Sequence, residues 1–496
     1  MDARAGRPPS SSGTPASELK PVLGLFDVTM IVMGCIIGAG CFGTPSIIAQ
    51  KMGSTGGILA VWAIGGVIAL TGALVFAELA AMFPRTGGQY VFVKESFGRF
   101  PAFMFGWLLL AAIVSNAIAW VARIFASHLE IVLRHFDPDA SLAPLGAPFA
   151  AALGWIARRP LPAGEAGEKV VALLLIVGFT LLNIRGLKLG AAVQNAAMVA
   201  KIAGILTVIA LGVVVVARGD AVPQTAVPAT TNAGRDALFA AFNAALFKAM
   251  FTYGGWQNVA AVGSEVKEPR RTLPLGILVG TVAVVALYLA LNGALLAILG
   301  PAGVAATATP TATAAGRVIA GGEVFVAALV MISTFAITQA LLMVTPRIYF
   351  AMANDGLFFR SVGTVHPRFR TPAIAIALQG LATVVHLLLG DVLDLLDMAT
   401  FFDWLGFTLC AVALFVLRAK RPDAPRPYRA FGYPWLPGLF LLLSTWVFVF
   451  HFVYAEPLAK ERGAWVFAVG LVLYAAFRRG RGKLEDRRTT PIPASE

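Results

Sequence analysis

The sequence predicts an all-α integral membrane protein. It should have about 12 transmembrane helices, five plus five in opposite orientation and two more at the C-terminal end. Three observations carry this. Of 496 residues, 58% are hydrophobic and 13% charged, where a soluble domain carries about 25% charged residues. Apolar runs long enough to cross a bilayer recur along the chain. The expected spans are 28–49, 57–82, 102–126, 170–184, 191–217, 236–263, 274–299, 323–350, 372–389, 398–417, 435–455 and 464–477. Two of these runs, the first and the sixth, are interrupted by glycine. With five spans per half, equivalent interruptions at the first and sixth positions imply an inverted repeat.

Taken in chain order, residues 1–20 are rich in Ser, Pro, Gly and Ala and lack an apolar core. They read as a disordered cytoplasmic tail without a signal peptide, so the first span is its own insertion signal. The expected layout is a transporter-like body over 21–479, with a first repeat at 21–217 and a second at 236–418. Helices 11 and 12 occupy 435–477, and a disordered cytoplasmic tail follows at 480–496. Lys and Arg fall mostly on the termini and on the connections that share their side, which puts both termini in the cytoplasm. Clusters such as Arg418, Lys420 and Arg421 then meet anionic lipid at the inner face. The same positive-inside pattern accounts for a net charge of +13 without nucleic acid.

The first span contains Gly34, Gly38, Gly40, Gly43 and Pro45. Glycine costs a helix roughly 1 kcal/mol relative to alanine. A break at membrane depth persists only where protein or a watery cavity satisfies the freed backbone. Beyond Gly38-Ala39-Gly40 a new helix begins with unpaired N–H groups at its positive end, a receptor for a carboxylate. The sixth span is broken at Gly254-Gly255 and offers carbonyls at Phe251 and Gly254 to an ammonium. Together the two breaks present the charge layout of an amino-acid zwitterion. Close packing of helices through small residues is the competing explanation of the glycines. Phe251, Tyr253 and Trp256 flank the second break, and Phe251 or Trp256 is positioned to gate it.

Lys201 sits near the middle of the fifth span. An ammonium at that depth costs at least about 2.5 kcal/mol, so it should face the bundle interior. There it can stand in for a bound sodium ion, take part in proton coupling, or only bond helix carbonyls. Lys248, one turn before the second break, either lines the outer vestibule or pairs with a carboxylate. Glu78 and Asp403 are the notable membrane carboxylates, each open to a structural pairing or a proton role. The loop 300–322, rich in Ala and Thr, reads as a flexible outer linker, and Ala419–Pro434 as an extended inner linker.

No metal-ligating histidine pattern, P-loop or nucleophile–base constellation is present. An enzyme is therefore not expected, nor a cofactor or metal.

Several segments carry a family resemblance. GCIIGAGCFGTP (34–45) resembles the G-x-I-I-G-x-G-I-F motif of the amino acid–polyamine–organocation (APC) transporter superfamily. FTYGGWQN (251–258) with SEVKEPRRTLPLGI (264–277) resembles its L-type amino acid transporter branch. FAELAAMFPRTGGQYVFVKESFG (76–98) and PRIYFAMANDGLFF (346–359) match further family segments. The resemblance covers roughly residues 20–480. It implies a LeuT-like fold and sodium-independent amino-acid transport by alternating access, as an exchanger or coupled to protons. By the family pattern, the amides of Ala39 and Gly40, beside Gly38, hold the substrate carboxylate. Carbonyls of Ile36, Phe251 and Gly254 hold the amine, Trp256 adjoins the site, and Phe251 is the outer gate. Lys201 matches a lysine near the sodium position of coupled relatives, and Ser333 and Thr334 match the segment facing it.

The chain departs from the pattern at Cys41, which replaces an isoleucine and is expected to alter the cavity or expose it to thiol reagents. It departs again at Lys248. The loop 127–169 has no cysteine, so no disulfide-linked heavy chain is expected. The partners are an amino-acid substrate and the lipid of a plasma (cell inner) membrane. Because the broken helices bear no carboxylate, the side-chain pocket should favour apolar or small substrates. A polyamine or cationic substrate, or an amino-acid sensor on the same fold, are the alternatives.

Overall fold

A computed structural model describes residues 19–224, 235–390, 392–454 and 457–489. The first span is split into α1 (Leu25–Ile36) and α2 (Gly40–Met52), bent by 44° at the break. Then come α3 (Thr55–Met82), α4 (Gln89–Phe97) and α5 (Arg99–Leu108). A π-helical turn at Leu109–Ile113 joins α5 to α6 (Val114–Phe136). Two short helices, α7 (Ala143–Gly146) and α8 (Ala150–Ala157), precede α9 (Ala163–Arg185) and α10 (Leu187–Ala217).

The second half begins with α11 (Arg235–Tyr253), α12 (Pro269–Ala306), α13 (Pro310–Val318) and α14 (Gly322–Val344). It continues with α15 (Pro346–Asn354), α16 (Ala373–Leu389) and α17 (Val392–Lys420), and α18 (Trp435–Tyr454) and α19 (Pro457–Thr489) follow. Among the described residues, eight helices are long and apolar enough to cross a membrane, the bent α1–α2 pair makes a ninth, and α16 and part of α18 are shorter apolar helices. The chain is an integral membrane protein. The expected span 464–477 lies in α19, where its apolar stretch is short and charged residues flank it at Lys460–Arg462 and Arg478–Arg481.

Three expectations about connections need correction. The segment 300–322 is not a flexible linker: α12 kinks at Gly300 (φ +68°) and its helix resumes as far as Ala306, and α13 buries Pro310, Thr311, Ala314 and Ala315 against its neighbours. Its alanines are strong helix formers and Pro310 sits at the first turn, where proline is welcome. The long connection 127–169 is largely helical, through the end of α6 with α7 and α8. At the C-terminal end the chain stays helical to Thr489, since Arg, Lys, Leu and Glu sustain a helix in water. Residues 1–18 and 490–496, the rest of the expected tails, lie outside the described residues.

The core is built on long helices lying side by side. α12 runs along α3 and α1, α14 along α6, and α2 along α11. One face of the bundle, here the near face, carries the chain entry at Leu23. Leu23 makes a parallel backbone bridge to Val266, and Thr86 an antiparallel one to Val262. The N–H groups of Val22 and Leu23 both donate to Glu265 O, at 2.8 and 3.0 Å. Beneath them Arg347 grips the Glu265 carboxylate with Nε (2.8 Å) and Nη2 (3.1 Å), both side chains buried. Glu78, fully buried, receives Arg418 Nε (2.9 Å) and Nη2 (2.6 Å) and the Ala430 N–H (2.6 Å). It therefore fastens the linker after α17 to α3. Of the two readings open for Glu78, a structural pairing is the one seen. The opposite, far face is formed by α13 and the ends of α2 and α12, where Gln50 Nε2 donates to Ala305 O at 3.0 Å.

Candidate functional site

The two breaks meet in the middle of the bundle. At the first, Ile37, Gly38 and Ala39 leave the helix. Ala39 and Gly40 head α2, and among the described residues neither N–H meets an acceptor. At the second, α11 ends at Tyr253 and no α-helix follows until Pro269. The chain turns at Gly254-Gly255 and continues in short 3-10 turns, Asn258–Ala261 and Gly263–Glu265. Gly255 has φ +131°, and a Cβ there would stand 2.3 Å from Cys35 O. The second break is thus pressed backbone to backbone against the end of α1, and only glycine fits.

Between the breaks lies a chamber of about 130 Å³. Ile36, Gly38, Ala39, Gly40, Phe251 and Gly254, all anticipated from sequence, line it. The π turn and α6 add an apolar wall that includes Leu109, Ile113 and Val121. α17 adds Thr400, Asp403, Trp404 and Phe407. Trp256 does not line the chamber. Its ring is buried, stacked on Phe407 at 5.2 Å and 11° and abutting Phe440. With Gly255 turned toward α1, the side chain that follows faces away into the core.

Lys201 is fully buried in α10 and lies behind the chamber, outside its lining. Its Nζ donates to Ile37 O at 2.5 Å, and Ser333 Oγ donates to the same oxygen at 3.2 Å. The ammonium therefore sits at the negative end of α1, on a carbonyl released by the break. Thr334 turns back to its own helix, onto Val330 O and Met331 O, and does not reach that carbonyl. Cys41 is buried and its Sγ donates to Gly38 O at 3.2 Å. It neither lines the chamber nor stands exposed, so the expectation that it reshapes or opens the cavity is corrected.

Phe251 and Trp120 meet edge to face with centroids 6.2 Å apart. Both line the chamber and also a second cavity of about 460 Å³ on the far side, which Lys248, His128 and Glu323 border. Of its two readings, Lys248 follows the vestibule one. Its ammonium lies 5.8 Å from the Phe247 ring, and among the described residues no carboxylate pairs with it.

Sequence reasoning missed several contributors. Tyr288 of α12 reaches both breaks, with its hydroxyl 3.3 Å from Ile36 O and 3.4 Å from Thr252 O. Thr252 Oγ1 ties α11 to α2 through Thr44 Oγ1 at 3.0 Å. Gln257 caps the turn by accepting the Gly255 N–H at 3.0 Å and lines the chamber together with Asp403. Polar residues inside apolar helices were the available signal. The expectation of an apolar or small-substrate pocket rested on the broken helices alone, and α17 brings a carboxylate to the same space.

The chain is 28% identical to the serine/threonine exchanger SteT of Bacillus subtilis, over 88% of this chain and 92% of that protein. It is 26% identical to the human b(0,+)-type amino acid transporter 1, over 93% and 88% of the two chains. With the large neutral amino acids transporter small subunit 2 of Oryctolagus cuniculus it shares 26% identity, over 94% and 82%. The family model for amino acid permeases matches residues 23–476. A family match along nearly the whole chain leads to one conclusion: the chain belongs to the amino acid permease family.

Proposed function

We propose that this permease is a sodium-independent amino-acid exchanger working by alternating access. The observation that carries the reading is the Lys201–Ile37 contact. The Lys201 side-chain nitrogen sits on the carbonyl at the end of α1, where an ammonium supplies the positive charge that a bound cation would otherwise bring. The substrate carboxylate lies against the free N–H groups of Ala39 and Gly40, beside Gly38. The ammonium lies against the carbonyls of Ile36, Phe251 and Gly254, and Phe251 with Trp120 closes the far side. Exchange, rather than proton symport, is favoured by the likeness to an exchanger.

The protein belongs in the plasma (cell inner) membrane with its near face and both termini cytoplasmic, following the distribution of Lys and Arg. All three cysteines are buried, which supports function without a disulfide-linked partner. The test is uptake of labelled serine, leucine and arginine into proteoliposomes loaded with the same amino acids. Replacing sodium by choline should leave the rate unchanged. A strict sodium requirement overturns the role of Lys201.

A further inference from the structure

We propose that Asp403 is a specificity-determining residue and that the chamber takes amino acids with a basic side chain. This rests on the reading of the chamber as an amino-acid site. Thr400, Asp403, Trp404 and Phe407 recur at helical spacing on the chamber side of α17. Asp403 is the one charged side chain among the described lining residues. It is partly exposed, into the cavity. Among the described residues no cation pairs with it, and Gln257 lines the same chamber. Lys201 is buried behind Ile37 and its ammonium is engaged there.

The remaining wall is mainly Leu, Ile, Val, Ala, Trp and Phe, a poor setting for an unpaired carboxylate. A ligand ammonium or guanidinium supplies the missing charge, and a guanidinium does so through two parallel N–H donors. The geometry separates the two ends of such a ligand. Backbone groups of the breaks serve the α-carboxylate and α-amine, whereas Asp403 projects from a different helix.

The experiment compares near-isosteric pairs. Purified protein in proteoliposomes is assayed for counterflow of arginine against citrulline and lysine against norleucine, with leucine and serine as references. The wild type should favour the charged member by roughly 30-fold or more. In Asp403→Asn that preference should fall toward one while citrulline and leucine exchange persist, and Asp403→Glu should retain it. Thermal stabilisation of purified Asp403→Asn by citrulline shows that the variant is folded. The inference is overturned if the wild type treats arginine and citrulline alike. It is also overturned if the folded Asp403→Asn protein loses both equally, which would place the carboxylate on groups that all substrates share. Exchange of leucine or serine without any basic substrate ends this inference and leaves the permease reading standing. Failure of every amino acid to exchange ends both.

Discussion

The two helix breaks look alike in sequence and are resolved differently in space. The first leads into a new helix, so it presents free N–H groups on one side and a carbonyl held by Lys201 and Ser333 on the other. The second leads into 3-10 turns, with Gly255 N–H taken up by Gln257 and its Cα set against Cys35 O. The first break is therefore an electrostatic device and the second a packing device that brings carbonyls to it. Tyr288, in reach of both, joins them. Pairing of breaks along a chain thus identifies a site without saying which break does which work.

The largest expected effect separates adjacent glycines. Gly255→Ala drives a methyl into backbone at a φ that alanine resists, and should cost about 3 kcal/mol or more. Gly254→Ala places its Cβ 3.4 Å from Phe251 O, an ordinary contact, and should stay within about 1 kcal/mol of wild type. Thermal unfolding of the purified proteins reads the difference, and equal stabilities would mean that the contact between the breaks is loose. Next in size, Lys201→Ala leaves the end of α1 without its positive charge. Exchange should fall about tenfold or more while the amount of protein in the membrane is kept, and normal uptake would remove Lys201 from the mechanism. The smallest effect belongs to Ser333→Ala. It deletes a neutral hydrogen bond worth about 1 kcal/mol from the same carbonyl, so transport should drop only a few-fold. A Ser333→Ala defect larger than that of Lys201→Ala would reverse the ranking of charge over hydrogen bonding.

Much of this was legible in the sequence because glycine and proline at membrane depth have few explanations. Gly38, Gly40 and Gly254 marked the chamber, and Lys201 marked the bundle interior, since an ammonium facing lipid is too costly. The rest depended on rotation and context. α17 is apolar on most sides, so no periodicity shows that Asp403 faces the chamber. Trp256 follows a glycine whose backbone conformation only the fold sets, and its ring consequently packs in the core. The segment 300–322 is simple in composition, yet its alanines fill a close contact at the far face. Glu78 found its partners more than 300 residues away.

The near face and the far side of the chamber differ in what must yield for solute to pass. Toward the vestibule the obstacle is the pair Phe251 and Trp120, and rotation of aromatic side chains belongs to fast local motion. Toward the near face the obstacle is backbone pairing at Leu23–Val266 and Thr86–Val262, reinforced by Arg347–Glu265. Parting those is a collective event on the microsecond-to-millisecond scale. A solute should consequently enter and leave through the aromatic side many times for each delivery to the other compartment. The rhythm of turnover is then set by the peptide hydrogen bonds at the chain's entry, far from the groups that select the cargo.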